Sequence, residues 1–203
     1  MKERIFEHYI HRIRDDETPY AVLDWESAEA QGLRFRAMTD RVPLEGRSLL
    51  DVGCGLGDLY CMLKEMGIHT DYLGIDIIPE MIVAAKKHQP GASFQELDLF
   101  RNPDALDHTF DVVFCSGIFN LNLGNNRQFL IEALEVFFGL ANDTVVFNLL
   151  HKRSPDPDAH YFYFTPEEVI PLVKPYTDDI EIVDDYLAND FTVIAHLHRT
   201  IRA

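Results

Sequence analysis

Three glycines set two residues apart, Gly53, Gly55 and Gly57, follow an apolar run in LLDVGCGLGDL, residues 49–59. Glycine permits a sharp turn and lets a ligand approach the backbone where a Cβ would stand in the way. Asp51 precedes the first glycine by two residues. Two further carboxylates, Asp76 in YLGIDIIPEMI and Asp98 in FQELDLF, each end a predicted strand. Carboxylates of this kind accept hydrogen bonds from hydroxyls and offset positive charge. They suit a pyrophosphate badly. The dinucleotide fingerprint G-x-G-x-x-G, counted from Gly53, puts Asp58 where its third glycine belongs, and a carboxylate there repels phosphate. Asp51 has two open roles, holding the glycine loop through backbone N–H groups or touching the ligand.

These residues need a scaffold that brings several strand ends together. Short apolar runs predict strands at 48–52, 72–75, 93–97, 111–115 and 144–149, alternating with helices at 56–66, 79–88, 127–140 and 166–173. Pro79 suits a first helical turn and Thr165 an N-cap. Two last strands, 180–186 and 191–198, are joined by the hairpin connection Leu187-Ala188-Asn189-Asp190. Strands alternating with helices imply an α/β, doubly wound, mostly parallel sheet covered on both faces, with an antiparallel edge from the hairpin. Such a sheet binds ligands at the carboxyl ends of its strands. Residues 1–45 read as a helical cap, with helical spacing at Ile5 and Tyr9 and again from about Trp25 to Met38. Residues 46–203 read as the core of the same single domain.

Composition bounds the partners. The chain has 203 residues, 18 Lys+Arg against 34 Asp+Glu, and a formal net charge of −16. That length suits one domain. No apolar run of about 18 residues is present to form a membrane span. The N-terminal MKERIFEHYIHRIRDDE is too charged for the apolar core of a secretory signal. The longest basic stretches are the pairs Lys86-Lys87 and Lys152-Arg153, so no nucleic-acid partner is expected. Cys54, Cys61 and Cys115 lack CxxC spacing and read as free thiols of a reducing, cytoplasmic compartment. Oligomeric state stays open.

The G-x-G-x-G spacing, with Asp51, Asp76 and Asp98 in order behind it, resembles the class I S-adenosylmethionine-dependent methyltransferases. FDVVFCSGIFN, residues 110–120, looks like that family's fourth motif. The resemblance covers about residues 47–198 and implies a seven-stranded Rossmann-like sheet whose last strand is antiparallel. It implies S-adenosylmethionine as cofactor and S-adenosylhomocysteine as product. It places Asp76 at the ribose hydroxyls and Asp98 and Leu99 at the adenine. Asp51, Gly53, Gly55 and Gly57, with Cys54, Ile77 and Met81, are further cofactor positions. Ser116, Gly117 and Ile118 fall near the methionine part, and Phe119 and Asn120 nearer the acceptor. WESAEAQGLRFRAM, residues 25–38, resembles a segment of small bacterial methyltransferases without an assigned substrate. That likeness adds Gln31 and Arg34 on the cofactor side and Trp25 on the acceptor side.

Outside the motifs, His151 follows the fifth strand and is a candidate general base for a hydroxyl acceptor. Tyr161 and Tyr163, in SPDPDAHYFYFTP, are candidates to line an acceptor pocket. Cys115 lies within an apolar strand and reads as a buried thiol. The acidic run from Asp178 to Asp185 reads as a solvated strand edge, and no metal is expected. The expected activity is methyl transfer to a small-molecule acceptor by in-line displacement. Methylation of a protein or RNA, and cofactor binding without catalysis, are the alternatives.

Overall fold

The computed structural model describes residues 2–12, 19–23 and 26–197. Seven strands form one sheet: β1 (Ser48–Val52), β2 (Asp71–Asp76), β3 (Ser93–Glu96), β4 (Phe110–Cys115), β5 (Ala141–Leu150), β6 (Ile180–Val183) and β7 (Asp190–His196). Their spatial order is β3-β2-β1-β4-β5-β7-β6. The first five strands run parallel, whereas β7 pairs antiparallel with both β5 and β6. The strand order reverses between β1 and β4, which opens the crevice that doubly wound sheets use for ligands.

Seven α-helices accompany the sheet in the described chain, with a short 3-10 helix at Pro103–Ala105: α1 (Lys2–Ile10), α2 (Pro19–Val22), α3 (Ala28–Thr39), α4 (Asp58–Glu65), α5 (Pro79–His88), α6 (Asn126–Leu140) and α7 (Pro166–Val173). Their starts follow local chemistry. Ser27 caps α3, its Oγ accepting the Ala30 N–H at 3.0 Å. Thr165 and Glu168 cap α7 reciprocally. The segment from Trp25 onward begins its helix only at Ala28, because Ser27 takes the cap position.

Alternate residues of each strand feed two cores. Leu50, Val113, Val145 and Val193 belong to one with α6 and α7, while Leu49, Val112, Val146 and Ile194 belong to the other with α3, α4 and α5. That period of two is what a sheet buried on both faces requires. Phe119 sits in the first core, its ring centroid 5.2 Å from that of Phe129 and 6.3 Å from that of Phe147. β5 starts at Ala141, directly where α6 ends, earlier than the apolar run at 144 suggests. Asp190 belongs to β7 rather than to the hairpin turn, because it pairs with Leu150 across the ladder. No helix among the described residues is long and apolar enough to cross a membrane.

Candidate active site

The glycine loop leaves β1 under two separate constraints. Gly53, Gly55 and Gly57 have φ of 77°, 54° and 82°, a region that L side chains rarely adopt. Space is also lacking. A Cβ on Gly53 would lie 2.3 Å from Ile118, on Gly55 2.6 Å from Leu23, and on Gly57 2.7 Å from Phe94. The loop hangs on β2, with the Gly53 and Cys54 N–H groups donating to the Ile75 carbonyl at 2.8 and 3.0 Å.

Asp76 ties the loop to the next helix. Its Oδ2 accepts the Gly55 N–H at 3.0 Å and its Oδ1 the Ile78 N–H at 2.9 Å. Of the two roles left open for Asp51, loop-holding therefore falls to Asp76 instead. The Asp51 carboxylate accepts the Tyr72 hydroxyl at 2.6 Å and lines the cleft beside it. Burial pushes Asp51 up to about 7, against the Tyr72 hydrogen bond, with the charges of Asp76 and Asp58 adding to the rise. Burial also pushes Asp76 above the usual carboxylate range, against the donating N–H groups of Ile78, Gly55 and Ile77.

Around this loop lies an open cleft of about 1230 Å³, solvent at its mouth included. Asp51, Gly53, Cys54 and Gly55 line it from β1, and Asp76, Ile77 and Met81 from β2 and α5. Asp98 and Leu99 follow β3, Ser116, Gly117 and Ile118 follow β4, and Gln31 enters from α3. Three carboxylates face the cleft, and no Lys, Arg or His lines it among the described residues. Asp58, at the dinucleotide-mismatch position, is held by Gln31, whose Nε2 donates to Oδ2 at 2.9 Å.

Past Gly117 the walls become mostly apolar. Asn120, Leu121, Phe129 and Tyr161 line this part, while Ile5, Tyr9 and Leu23 of the N-terminal region line the cleft near Gly55, Ile77 and Met81. Tyr161 reaches this wall because its segment pairs with the loop after β4. Leu121 and Tyr161 form an antiparallel bridge, and the Phe162 N–H donates to the Asn120 carbonyl at 2.7 Å. Ser116 Oγ and Asn120 Oδ1 are buried without a hydrogen-bond partner. An unsatisfied buried acceptor costs about 1–3 kcal/mol, so such atoms point to a ligand that supplies the missing bond.

Several expected residues lie elsewhere. Gly57 turns the chain into α4 against Phe94. Phe119 is a core side chain and Tyr163 borders a separate surface groove. His151 does not line the cleft. Its Nδ1 accepts the Arg153 N–H at 3.0 Å and its ring packs on Phe191. Burial, then the Arg153 charge, lowers its pKa. Trp25 lies outside the described residues.

Arg34 is committed to a buried ion pair instead of the cleft, its Nε donating to Asp190 Oδ2 at 2.7 Å. Asp190 also accepts the Tyr186 hydroxyl and, at 3.2 Å, the Asn148 Nδ2. Asn148 Oδ1 in turn accepts the Gly117 N–H at 3.1 Å, so this network ends on the cleft floor. Sequence reasoning missed Asp190, Asn148 and Tyr72. The signal available was a polar residue inside an otherwise apolar strand.

The fold and cleft define an α/β protein with an acidic cleft at the β1–β4 switch point. Residues 49–137 match the family model described as methyltransferase domain. A Mycobacterium tuberculosis protein, Rv1506c, a methyltransferase by name, is 29% identical over 154 residues, covering 72% of this chain and 91% of its own. The demethylmenaquinone methyltransferase of Deinococcus radiodurans is 32% identical over 110 residues, 52% of this chain but 45% of its own length. The fold is shared with magnesium protoporphyrin IX methyltransferase of Synechocystis, solved with bound S-adenosylhomocysteine. The TM-score is 0.66 at 14% identity, covering 97% of this chain and 95% of that one. Together these likenesses support a class I S-adenosylmethionine-dependent methyltransferase.

Proposed function

We propose that this enzyme methylates a small-molecule acceptor by in-line displacement, with the cofactor spread along the carboxyl ends of β1 to β4. The observation that carries the reading is a cleft faced by three carboxylates, without a lining Lys, Arg or His, beside glycines that leave room for a ligand at the backbone. That donor set fits a sulfonium- and ammonium-bearing nucleoside and repels a pyrophosphate. When bound, S-adenosylmethionine supplies an electrophilic methyl group.

The chain's own residues bind and orient. Asp76 accepts from the ribose hydroxyls while its backbone contacts fix the loop. Asp98 and Leu99 flank the adenine, and Asp51 offsets the ammonium. Gln31, with Ile5 and Leu23, covers the cleft from the N-terminal side and excludes water. Alignment of acceptor and methyl is then the main source of rate. A compact wall of apolar side chains past Gly117 supports a small acceptor over a macromolecule. So does the name of the Deinococcus relative, a demethylmenaquinone methyltransferase.

Calorimetry with S-adenosylhomocysteine and with NAD tests the cofactor assignment. Binding of the first alone is expected, and binding of NAD alone would sink it. Asp76→Ala is expected to weaken S-adenosylhomocysteine binding roughly 10–100-fold through lost ribose contacts and a loosened Gly55. Labelled-methyl transfer to cell extract, separated by size, should put label in the small-molecule fraction. Label in protein or RNA, or in no fraction, would overturn the acceptor class.

A further inference from the structure

Resting on that reading, we propose that the acceptor is an uncharged, weakly basic amine on an apolar, ring-sized body, oriented by a hydrogen bond from its N–H to Asn120 Oδ1. Three observations converge. Asn120 Oδ1 is a buried acceptor without a partner in the cleft wall, and Ser116 Oγ beside the same loop is likewise unsatisfied. Asn120 is held on both sides by its main chain, its N–H donating to the Gly117 carbonyl at 3.1 Å and its carbonyl accepting from Phe162 at 2.7 Å. With its main chain held, Asn120 offers Oδ1 to a ligand N–H, whose hydrogen bond would satisfy the buried oxygen.

The second observation is electrostatic. With Asp51, Asp76 and Asp98 facing the cleft and no lining cation, a carboxylate or phosphate acceptor would meet three like charges and no counter-charge from the protein itself. The third concerns the proton. A hydroxyl acceptor wants a base within hydrogen-bond reach; His151 is held by Arg153 and Phe191 and does not line the cleft, and of the lining carboxylates Asp51 already accepts from Tyr72 and Asp76 from the Gly55 and Ile78 N–H groups. A neutral amine needs none. Its nitrogen lone pair forms the N–CH3 bond as the S–CH3 bond breaks, and the bonding pair stays on sulfur. The nitrogen then carries the positive charge, which the acidic cleft tolerates, and its surplus proton passes to solvent after release. Leu121, Phe129 and Tyr161 supply the apolar wall for the body.

The experiment presents the full chain and labelled S-adenosylmethionine with benzene rings that differ only in one substituent: amine, hydroxyl, carboxylate or phosphate ester. S-adenosylhomocysteine affinity is measured on the same samples. Transfer to the amine, at least tenfold above the hydroxyl and absent from both anions, is expected. Asn120→Ala should lower kcat/KM for the amine at least tenfold while the S-adenosylhomocysteine Kd moves less than twofold. Preference for the hydroxyl or an anion, or transfer to none of the four with S-adenosylhomocysteine bound normally, overturns the amine assignment and leaves the methyltransferase reading standing. Loss of S-adenosylhomocysteine binding by the unmutated protein would instead break that reading itself. Should Asn120→Ala fail to fold, the substituent series alone decides.

Discussion

Two carboxylates are buried at the same edge of the sheet, and their surroundings differ in kind. Asp190, at the start of β7, meets the Arg34 guanidinium and accepts from Tyr186 and Asn148. Burial raises its pKa, and Arg34, Tyr186 and Asn148 pull against that rise. Asp51, on β1, has the Tyr72 hydroxyl as hydrogen-bond partner and like charges at Asp76 and Asp58, which leaves it at about 7. The Asp190 side of the sheet is electrically complete without a ligand, whereas the Asp51 side is left short of positive charge. The difference separates structure from binding: a satisfied buried charge fixes the fold, and an unsatisfied one stores affinity for a cation.

The same substitution at the two sites should therefore act with opposite sign. Asp190→Asn takes the carboxylate away from the buried Arg34 guanidinium and is expected to cost about 3–5 kcal/mol of unfolding free energy, read by urea titration. A loss under about 1 kcal/mol would put the two carboxylates in one class. Asp51→Asn is expected to stabilise the cofactor-free protein. The folded pKa of about 7 lies above the unfolded value, so the folded state holds this proton more tightly than the unfolded chain. The associated stability is complete below about pH 4 and is lost as pH rises towards 7, amounting to about 4 kcal/mol at most. The variant should thus exceed the wild type by about 1–4 kcal/mol at pH 8, with the gap closing towards pH 4. Melting curves across that range would expose a variant that is weaker at pH 8. The same group should make S-adenosylmethionine binding strengthen by up to about tenfold between pH 6 and pH 8, a trend that Asp51→Asn flattens. The smallest effect belongs to His151→Ala. A histidine off the cleft lining is expected to leave the transfer rate within about twofold, and a pH profile that loses its acidic limb would return His151 to the chemistry.

The asymmetry also marks what could be read from the sequence. The Asp51 side is written locally: each acid sits at or near the end of its own strand, and the glycines follow one strand directly. β1, β4 and β5 were legible as largely apolar runs, whereas β3, SFQE, holds a single apolar residue. Asp190 was read as part of a turn because Asn189-Asp190 has turn chemistry, and only its ladder pairing with Leu150 shows otherwise. Arg34 was assigned to the cofactor by likeness to related chains, and its partner is 156 residues away, beyond any local pattern. Tyr161 was anticipated as a lining residue, but the reason it lines is the Leu121 bridge, a pairing of two irregular segments that has no periodicity to find.

The span between Arg34 and Asp190 has a consequence in time. Synthesis runs from the N-terminus, so α3 leaves the ribosome long before the strand that neutralises its arginine exists. Until β7 zips onto β5, Arg34 lacks the Asp190 carboxylate, and seating its helix on the sheet buries that charge at greater cost. The N-terminal roof of the cleft is therefore among the last parts to close. A nascent chain halted before residue 190 would keep an open glycine loop, unable to retain a nucleoside even with every cofactor-facing acid already in place.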